Sequence, residues 1–342
     1  MFPGCRRPAL GSGRSPGGRA SLLGGSLASM TRSGPAGDRD KAPRLFAFGL
    51  GFSALALAER LAEQGWRIAG TVRDPEKRQA LEARGFEIHL FDRDHPLADP
   101  GTALAGSTHI LISAPPDGRN EPSGDPALDI HGNDIAALGP GLAWLGYLST
   151  TGVYGDRQGG WVDETSALTP SGDRGRRRLE AERGWLALGE RHGIPVHLFR
   201  LAGIYGPGRS ALDTVRSGNA KRVIKPGQVF SRIHVADIAS VLEASIARPH
   251  PGAAYNVCDD DPAAPAEVIE FACGLLGVEP PPPVAFDEAA LSPMAHSFYE
   301  DNKRVRNERI KRELGVTLAY PSYREGLKAL LAEETLSPTF HR

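Results

Sequence analysis

Two short stretches combine residue types whose spacing has chemical consequences. Gly49-Leu50-Gly51-Phe52-Ser53-Ala54 matches G-x-G-x-x-[GA]. The first glycine permits a tight turn, the second lets backbone approach a pyrophosphate, and a small residue at Ala54 lets a helix pack against a strand. The second stretch is Thr71-Val72-Arg73-Asp74. A site for NAD places an acid about 20 residues beyond the glycine motif, where it accepts from the ribose 2′-OH. Arg73 instead offers a charge-assisted bidentate contact to a 2′-phosphate. Asp74 is accounted for as an N-cap, because Pro75 follows it at a first helical position. The expected cofactor is NADP(H), with NAD(H) as the second choice. The expected contacts at this end are Gly49, Gly51, Phe52, Ser53, Ala54 and Arg73. The alternatives are a glycine turn used only for packing and an arginine that is merely solvated.

A strand and a helix must flank such a turn. Leu45–Gly49 (LFAFG) reads as a buried strand, and Ala54–Gln64 has Leu55, Ala58, Leu61 and Ala62 at helical spacing before Gly65. The helix N-terminus then supplies free N–H donors and partial positive charge for phosphates. Further strands are expected at Trp66–Val72, Phe86–Phe91, His109–Ser113, Trp144–Ser149, Pro195–Leu201 and Ala254–Val257, with a helix over about 176–192. Apolar strands alternating with helices imply a parallel sheet covered on both faces, an α/β doubly wound Rossmann fold. The expected organisation is a nucleotide-binding domain over 44–202, with 234–258 returning to it. A smaller C-terminal substrate-binding cap would be formed by 203–233 and 259–335. Pro280–Pro283 reads as a rigid linker or loop.

Composition excludes several function classes. The 342 residues carry a net charge of -1 and a sequence pI near 6.8, so no nucleic-acid or anionic-membrane partner is indicated. None of Cys5, Cys258 and Cys273 lies at CxxC spacing, so neither zinc nor a disulfide framework is expected. That fits a reducing compartment and a cytoplasmic protein. No apolar run approaches the ~20 residues of a membrane span. Met1–Pro43 is rich in Gly, Ser, Arg and Pro, with no acid before Asp38, and is set outside the fold as a disordered tail. Three readings of it stand: a transit-type leader, a twin-Arg export signal, and a tail or early start with Met30 as the true first residue. The second would need a longer apolar stretch than Ser21–Met30 offers.

Leu148-Ser149-Thr150-Thr151-Gly152-Val153-Tyr154-Gly155 resembles the fifth-strand segment of extended short-chain dehydrogenases and of the NAD-dependent epimerase/dehydratase family. Val162-Asp163-Glu164, Phe199–Arg209 (FRLAGIYGPGR), Phe230–Ile238 (FSRIHVADI) and Tyr255–Asp260 (YNVCDD) extend the resemblance over nearly the whole chain after Arg44. The short glycine motif, Ser113-Ala114-Pro115-Pro116 and Asn302-Lys303-Arg304-Val305 look like an atypical subgroup. The resemblance implies that Thr150 polarises a substrate carbonyl, although a strand-end hydroxyl satisfying backbone would look the same. It also implies that Asp92 meets the adenine amine and that Ser113, Ala114 and Pro115 line the cofactor. Tyr205 would lie near the nicotinamide, and Arg232 near an anionic group of the ligand. A homodimer is an expectation from the same resemblance.

The resemblance breaks at the proton donor. The family's Tyr-x-x-x-Lys falls on Arg174 and Arg178, with Leu179 and Glu182 fixing the register. Arginine, with a pKa above ~12, stays protonated and cannot exchange a proton near neutrality. Two readings stand for the pair: a solvated basic face paired with Glu180 and Glu182, or a clamp on a carboxylate or phosphate. Tyr154, Tyr205 and His234 are the stand-in donors to weigh. Two functions follow. One is an NADP(H)-dependent oxidoreductase or epimerase-like enzyme acting on a carbonyl or hydroxyl of a small anionic metabolite. The other is a non-catalytic NADP(H)-binding sensor or scaffold.

Overall fold

Alternation along the first strand sets the layering. In the computed structural model, which describes residues 42–118 and 124–336, β1 (Arg44–Phe48) is buried at all five positions. Leu45 and Ala47 join one core cluster, while Phe46 and Phe48 join another on the opposite face. Successive side chains of a strand point to opposite faces, so an apolar strand of this kind must be covered twice. Of the tail, only Ala42 and Pro43 fall among the described residues.

The other strands of the central sheet are β2 (Arg67–Val72), β3 (Glu87–Leu90), β4 (His109–Ile112), β5 (Trp144–Thr150), β6 (Val196–Leu201) and β7 (Ala254–Val257). They lie in the order β7-β6-β5-β4-β1-β2-β3, with every neighbouring pair parallel. The Rossmann sheet expected from the alternating pattern is therefore present. Strand order reverses between β1 and β4, and a crevice opens there at the carboxyl ends of the strands.

Helices α1 (Phe52–Glu63), α2 (Pro75–Glu82), α3 (Pro126–Ala136), α4 (Asp173–His192), α5 (Val235–Ala247), α6 (Pro265–Leu276) and α7 (Tyr323–Leu336) are the longer ones. α1 and α5 bury Leu57, Leu61, Val241 and Leu242 on one face of the sheet. α3 and α4 bury Ile135, Trp185 and Leu188 on the other. α3 was absent from the periodicity reading, yet Asp125-Pro126 repeats the start signal of Asp74-Pro75. Asp125 accepts from the amides of Ala127 and Leu128. A separate cluster joins Leu212, Val268, Tyr323 and Leu327 beyond β6. Within the stretch read as a linker, Pro283 opens a short strand, Pro283–Ala285, paired with Arg222–Ile224. Among the described residues no helix is long and apolar enough to cross a membrane.

One buried ion pair ties α4 to the sheet. Arg200 on β6 is 5% exposed and Glu182 on α4 is 2% exposed, and they meet at 2.8 Å. Glu182 also accepts from Ser149 on β5 at 2.5 Å, and Arg200 donates to the Tyr154 hydroxyl at 3.0 Å. Tyr154 donates in turn to Asn256 on β7 at 2.7 Å. Removing one partner of such a pair leaves a buried, uncompensated charge. Glu182→Ala should therefore cost about 3–5 kcal/mol, read from urea unfolding, and Glu182→Leu with Arg200→Met should recover most of it. A single-variant loss below about 0.5 kcal/mol would contradict this account.

Candidate functional site

The turn after β1 is shaped for close approach. Gly49 has φ +85°, and a Cβ there would stand 2.8 Å from the Ala114 amide nitrogen. The Gly49 amide donates to Thr71 Oγ1 at 2.8 Å, and the Gly51 amide turns back on the Gly49 carbonyl at 2.7 Å. Gly51 is the N-cap of α1 and offers no side chain, and no acid lies in the first turn. Leu55 is the first residue there whose amide reaches an acceptor within the helix, the Gly51 carbonyl. The amides of Phe52, Ser53 and Ala54 are thus left for an anion.

A cavity of about 880 Å³ opens from this turn along the ends of β2, β3 and β4. Gly49, Gly51, Arg73, Asp92, Ser113, Ala114 and Pro115 all line it. Arg73 and Lys77 are exposed at its rim. Asp74 caps α2, accepting from the Glu76 amide at 2.9 Å. Burial opposes ionisation of Asp92, but hydrogen bonds from His95 and the Asp94 amide hold its carboxyl below the ordinary range. Arg93, also in the wall, is held by Asp117 at 2.6 Å and Asp129 at 2.8 Å. The residues present fit a dinucleotide: a glycine cradle, unsatisfied helix amides, and two cations at the cavity rim. The Phe52 and Ala54 side chains face elsewhere, toward Gly206 and the core, so these two residues offer backbone only.

A second cavity, about 620 Å³, shares Ser113 with the first. Ser53, Thr150, Arg174, Arg178, Tyr205 and Arg232 meet there. Thr150 ends β5, and its Oγ1 accepts from the Gly152 amide at 3.1 Å. That satisfies one lone pair and leaves the hydroxyl hydrogen for a ligand oxygen. The start of α4 comes close because residue 175 is glycine. A Cβ there would sit 2.7 Å from the Gly152 carbonyl. Arg174 and Arg178 thereby reach the cavity.

The glutamate-paired face is corrected: Glu180 binds Arg183 and Glu182 binds Arg200. Arg178 donates to the Leu148 carbonyl at 2.6 Å and to the Tyr147 hydroxyl at 3.2 Å, so half of the expected clamp is committed to β5. Arg174 lies over the Phe298 ring at 5.2 Å and is exposed. With Arg209, Arg232 and Lys303, five cationic side chains face one carboxylate, Asp301. Among the described residues none of the four arginines has a carboxylate within ion-pair distance. Arg232 gives two hydrogen bonds to the Phe230 and Ala263 carbonyls, and burial lowers its pKa.

Two expected substrate residues do not reach this space. Tyr154 is fully buried between Arg200 and Asn256, and burial pushes its phenol up to about 12. Tyr154 is a structural tyrosine because its segment turns inward after Thr150. His234 is 4% exposed, and its Nδ1 accepts from the Ala236 amide as the N-cap of α5. Burial lowers its pKa to about 4, so the ring is neutral and donates no proton near pH 7. Arg209, Asp301 and Lys303 were missed as site residues. Their only sequence signal was membership of the matching stretches around Phe199–Arg209 and Asn302–Val305.

No family model matches the chain. It is 54% identical to a functionally unknown conserved protein from Silicibacter pomeroyi DSS, with a TM-score of 0.78, covering 85% of this chain and 99% of that one. It is 29% identical over 283 residues to protein YeeZ of Escherichia coli (strain K12), covering 80% of this chain and 94% of that protein. The UDP-glucuronic acid 4-epimerase from Bacillus cereus, solved in complex with NAD, has 15% identity and a TM-score of 0.67, covering 85% and 99%. The fold is thus the one that NAD-dependent epimerases and dehydratases use. The chain belongs to the same family as the conserved Silicibacter pomeroyi protein.

Behind the second cavity, burial pushes the carboxyl of Asp259 up to about 8, against the pull of Arg232. A carboxyl whose folded value exceeds its unfolded one contributes stability below about pH 4 and loses it as pH rises toward 8. Asp259→Asn should remove that slope. Between pH 5 and pH 8 the parent should lose stability relative to the variant in urea melts. A constant difference would contradict the buried, protonated state.

Proposed function

We propose that the chain is an NADP(H)-dependent oxidoreductase or epimerase-like enzyme acting on a carbonyl or hydroxyl of a small anionic metabolite. One observation carries this reading. The cavity at Gly49 and the arginine-lined cavity at Thr150 share Ser113 in their walls. A dinucleotide laid along the first would bring its nicotinamide end to the second. Gly49, Gly51 and the α1 amides would hold the pyrophosphate, Arg73 with Lys77 the 2′-phosphate, and Asp92 the adenine amine. When bound, the nicotinamide supplies or takes a hydride. Thr150 would polarise the substrate oxygen, while Arg174, Arg209 and Arg232 hold the anionic group. The NAD bound by the Bacillus cereus epimerase supports a nicotinamide dinucleotide in the same fold. NADP(H) preference rests on Arg73.

Arg174 and Arg178 at the Tyr-x-x-x-Lys positions favour a second reading, an NADP(H)-binding sensor without turnover. NADPH fluorescence titration, followed by a screen of anionic carbonyl compounds for NADPH consumption, separates the two. Turnover of any compound supports the enzyme, and binding without turnover across the panel supports the sensor. Arg73→Ala removes a charged hydrogen bond of about 1.5–3 kcal/mol, so NADPH should bind about 10–150-fold more weakly while NADH changes by less than about threefold. Equal losses for both would contradict the 2′-phosphate role.

A further inference from the structure

With arginines at 174 and 178, the proton exchanged with a substrate oxygen has no donor at its usual place. The wall of the second cavity narrows the choice. Its arginines keep their protons. Its serine and threonine hydroxyls are weak acids unless a base activates them. Burial pushes the phenol of Tyr205 far above its ordinary range, and the hydroxyl makes only a long contact, 3.4 Å, to the Ser322 carbonyl. Tyr299 is buried between Phe230 and Phe286, and burial raises its phenol too. Lys303 remains.

Lys303 is held as a reacting group needs to be. Its side chain is 10% exposed, lines the cavity, and donates from Nζ to Asp301 Oδ2 at 2.9 Å. Lysine is almost never this buried without a partner. The turn that carries it is pinned on two sides. The Asp301 carbonyl accepts from Gln228 at 2.8 Å, and Asn302 Oδ1 accepts from the Val229 amide at 3.2 Å. The Asn302 amide donates to Asp156 at 2.8 Å, and the Arg157 and Gly159 amides donate to the Asn302 carbonyl. Arg304–Val305 then pairs with Trp161–Val162.

We propose that Lys303 is the acid–base residue of the second cavity, exchanging a proton with the substrate oxygen, and that Asp301 is its positioning residue. The proposal rests on the hydride-transfer reading above. In the reducing direction bound NADPH would supply the hydride for the new C–H bond and would be left as NADP⁺. The carbonyl π pair moves to oxygen, an N–H bond of Lys303 breaks, and an O–H bond forms. The neutral amine regains a proton from water. In the oxidising direction the neutral amine takes the alcohol proton. Burial lowers the ammonium of Lys303 below its ordinary range and Arg157 acts the same way, while Asp301 and Asp156 oppose them. Such tuning moves a lysine toward the operating pH of a general acid or base.

Lys303→Arg keeps the charge but cannot exchange the proton. NADPH affinity of the full chain should stay within about threefold, since the turn at Gly49 is untouched. For any compound in the panel that the parent reduces, kcat should fall about 10²–10⁴-fold with KM within about threefold. A parent-like kcat, or a loss entirely in KM, would make Lys303 an anion-binding cation and overturn the proposal. A second readout needs no substrate. The chain has seven lysines, so ¹³Cε-lysine labelling gives few NMR signals. The signal missing in Lys303→Arg should titrate below the other six, and lower still in Asp301→Asn. Titration together with the rest would overturn the lysine role alone, whereas failure of the parent to bind NADP(H) would overturn the cofactor reading beneath it.

Discussion

At the start of α1 the amides of Phe52, Ser53 and Ala54 precede the first intrahelical hydrogen bond, and the capping residue is a glycine with no side chain to satisfy them. Their partial positive charge is reinforced by the helix dipole and opposed by no acid in the first turn. Gly49 sets this geometry. Its left-handed backbone and its contact with Ala114 bring β1, β4 and the helix start together at the reversal of strand order. The cavities on either side of Ser113 follow from that junction, and every chemical role assigned to this chain depends on an anion being drawn to it.

The second constraint is electrostatic. The second cavity places five cations around one carboxylate, while the nearby Arg200–Glu182 pair is sealed in the sheet with its hydrogen bonds filled. The contrast separates structural charge from available charge. Arg200 is matched by Glu182, and its remaining nitrogen is used on Tyr154. Arg174 has no carboxylate within ion-pair distance among the described residues, so an incoming anion meets it without displacing an ion-pair partner, whereas Arg232 already gives hydrogen bonds to the Phe230 and Ala263 carbonyls and feels Asp259 behind it. Arg178 stands between these cases, tethered to the Leu148 carbonyl yet still in the cavity wall.

The fold was readable because its determinants are local. β1 announces itself as four apolar residues, Leu45–Phe48, before a glycine turn, and α2 through Asp74-Pro75. α3 was overlooked because a mixed run, PALDIHGNDIA, hides its periodicity, although Asp125-Pro126 marks its start. The cofactor turn was equally readable, since its glycines and helix are contiguous. The second cavity was only partly so. Similar motifs point to Thr150 and Arg232 but do not report burial, so they point equally to Tyr154 and His234, both of which are enclosed. Lys303 is 153 positions from Thr150 and reaches the same cavity only because Arg304–Val305 pairs beside Trp161–Val162. No local pattern encodes that meeting.

The most direct test follows amide hydrogen exchange in the peptide spanning Gly49–Leu55 with and without NADPH. If the turn and the first helical amides wrap the diphosphate, exchange there should slow markedly on binding, together with the segment around Ser113. NADPH binding that leaves Gly49–Leu55 unprotected, or no binding of either NADPH or NADH, would contradict the account.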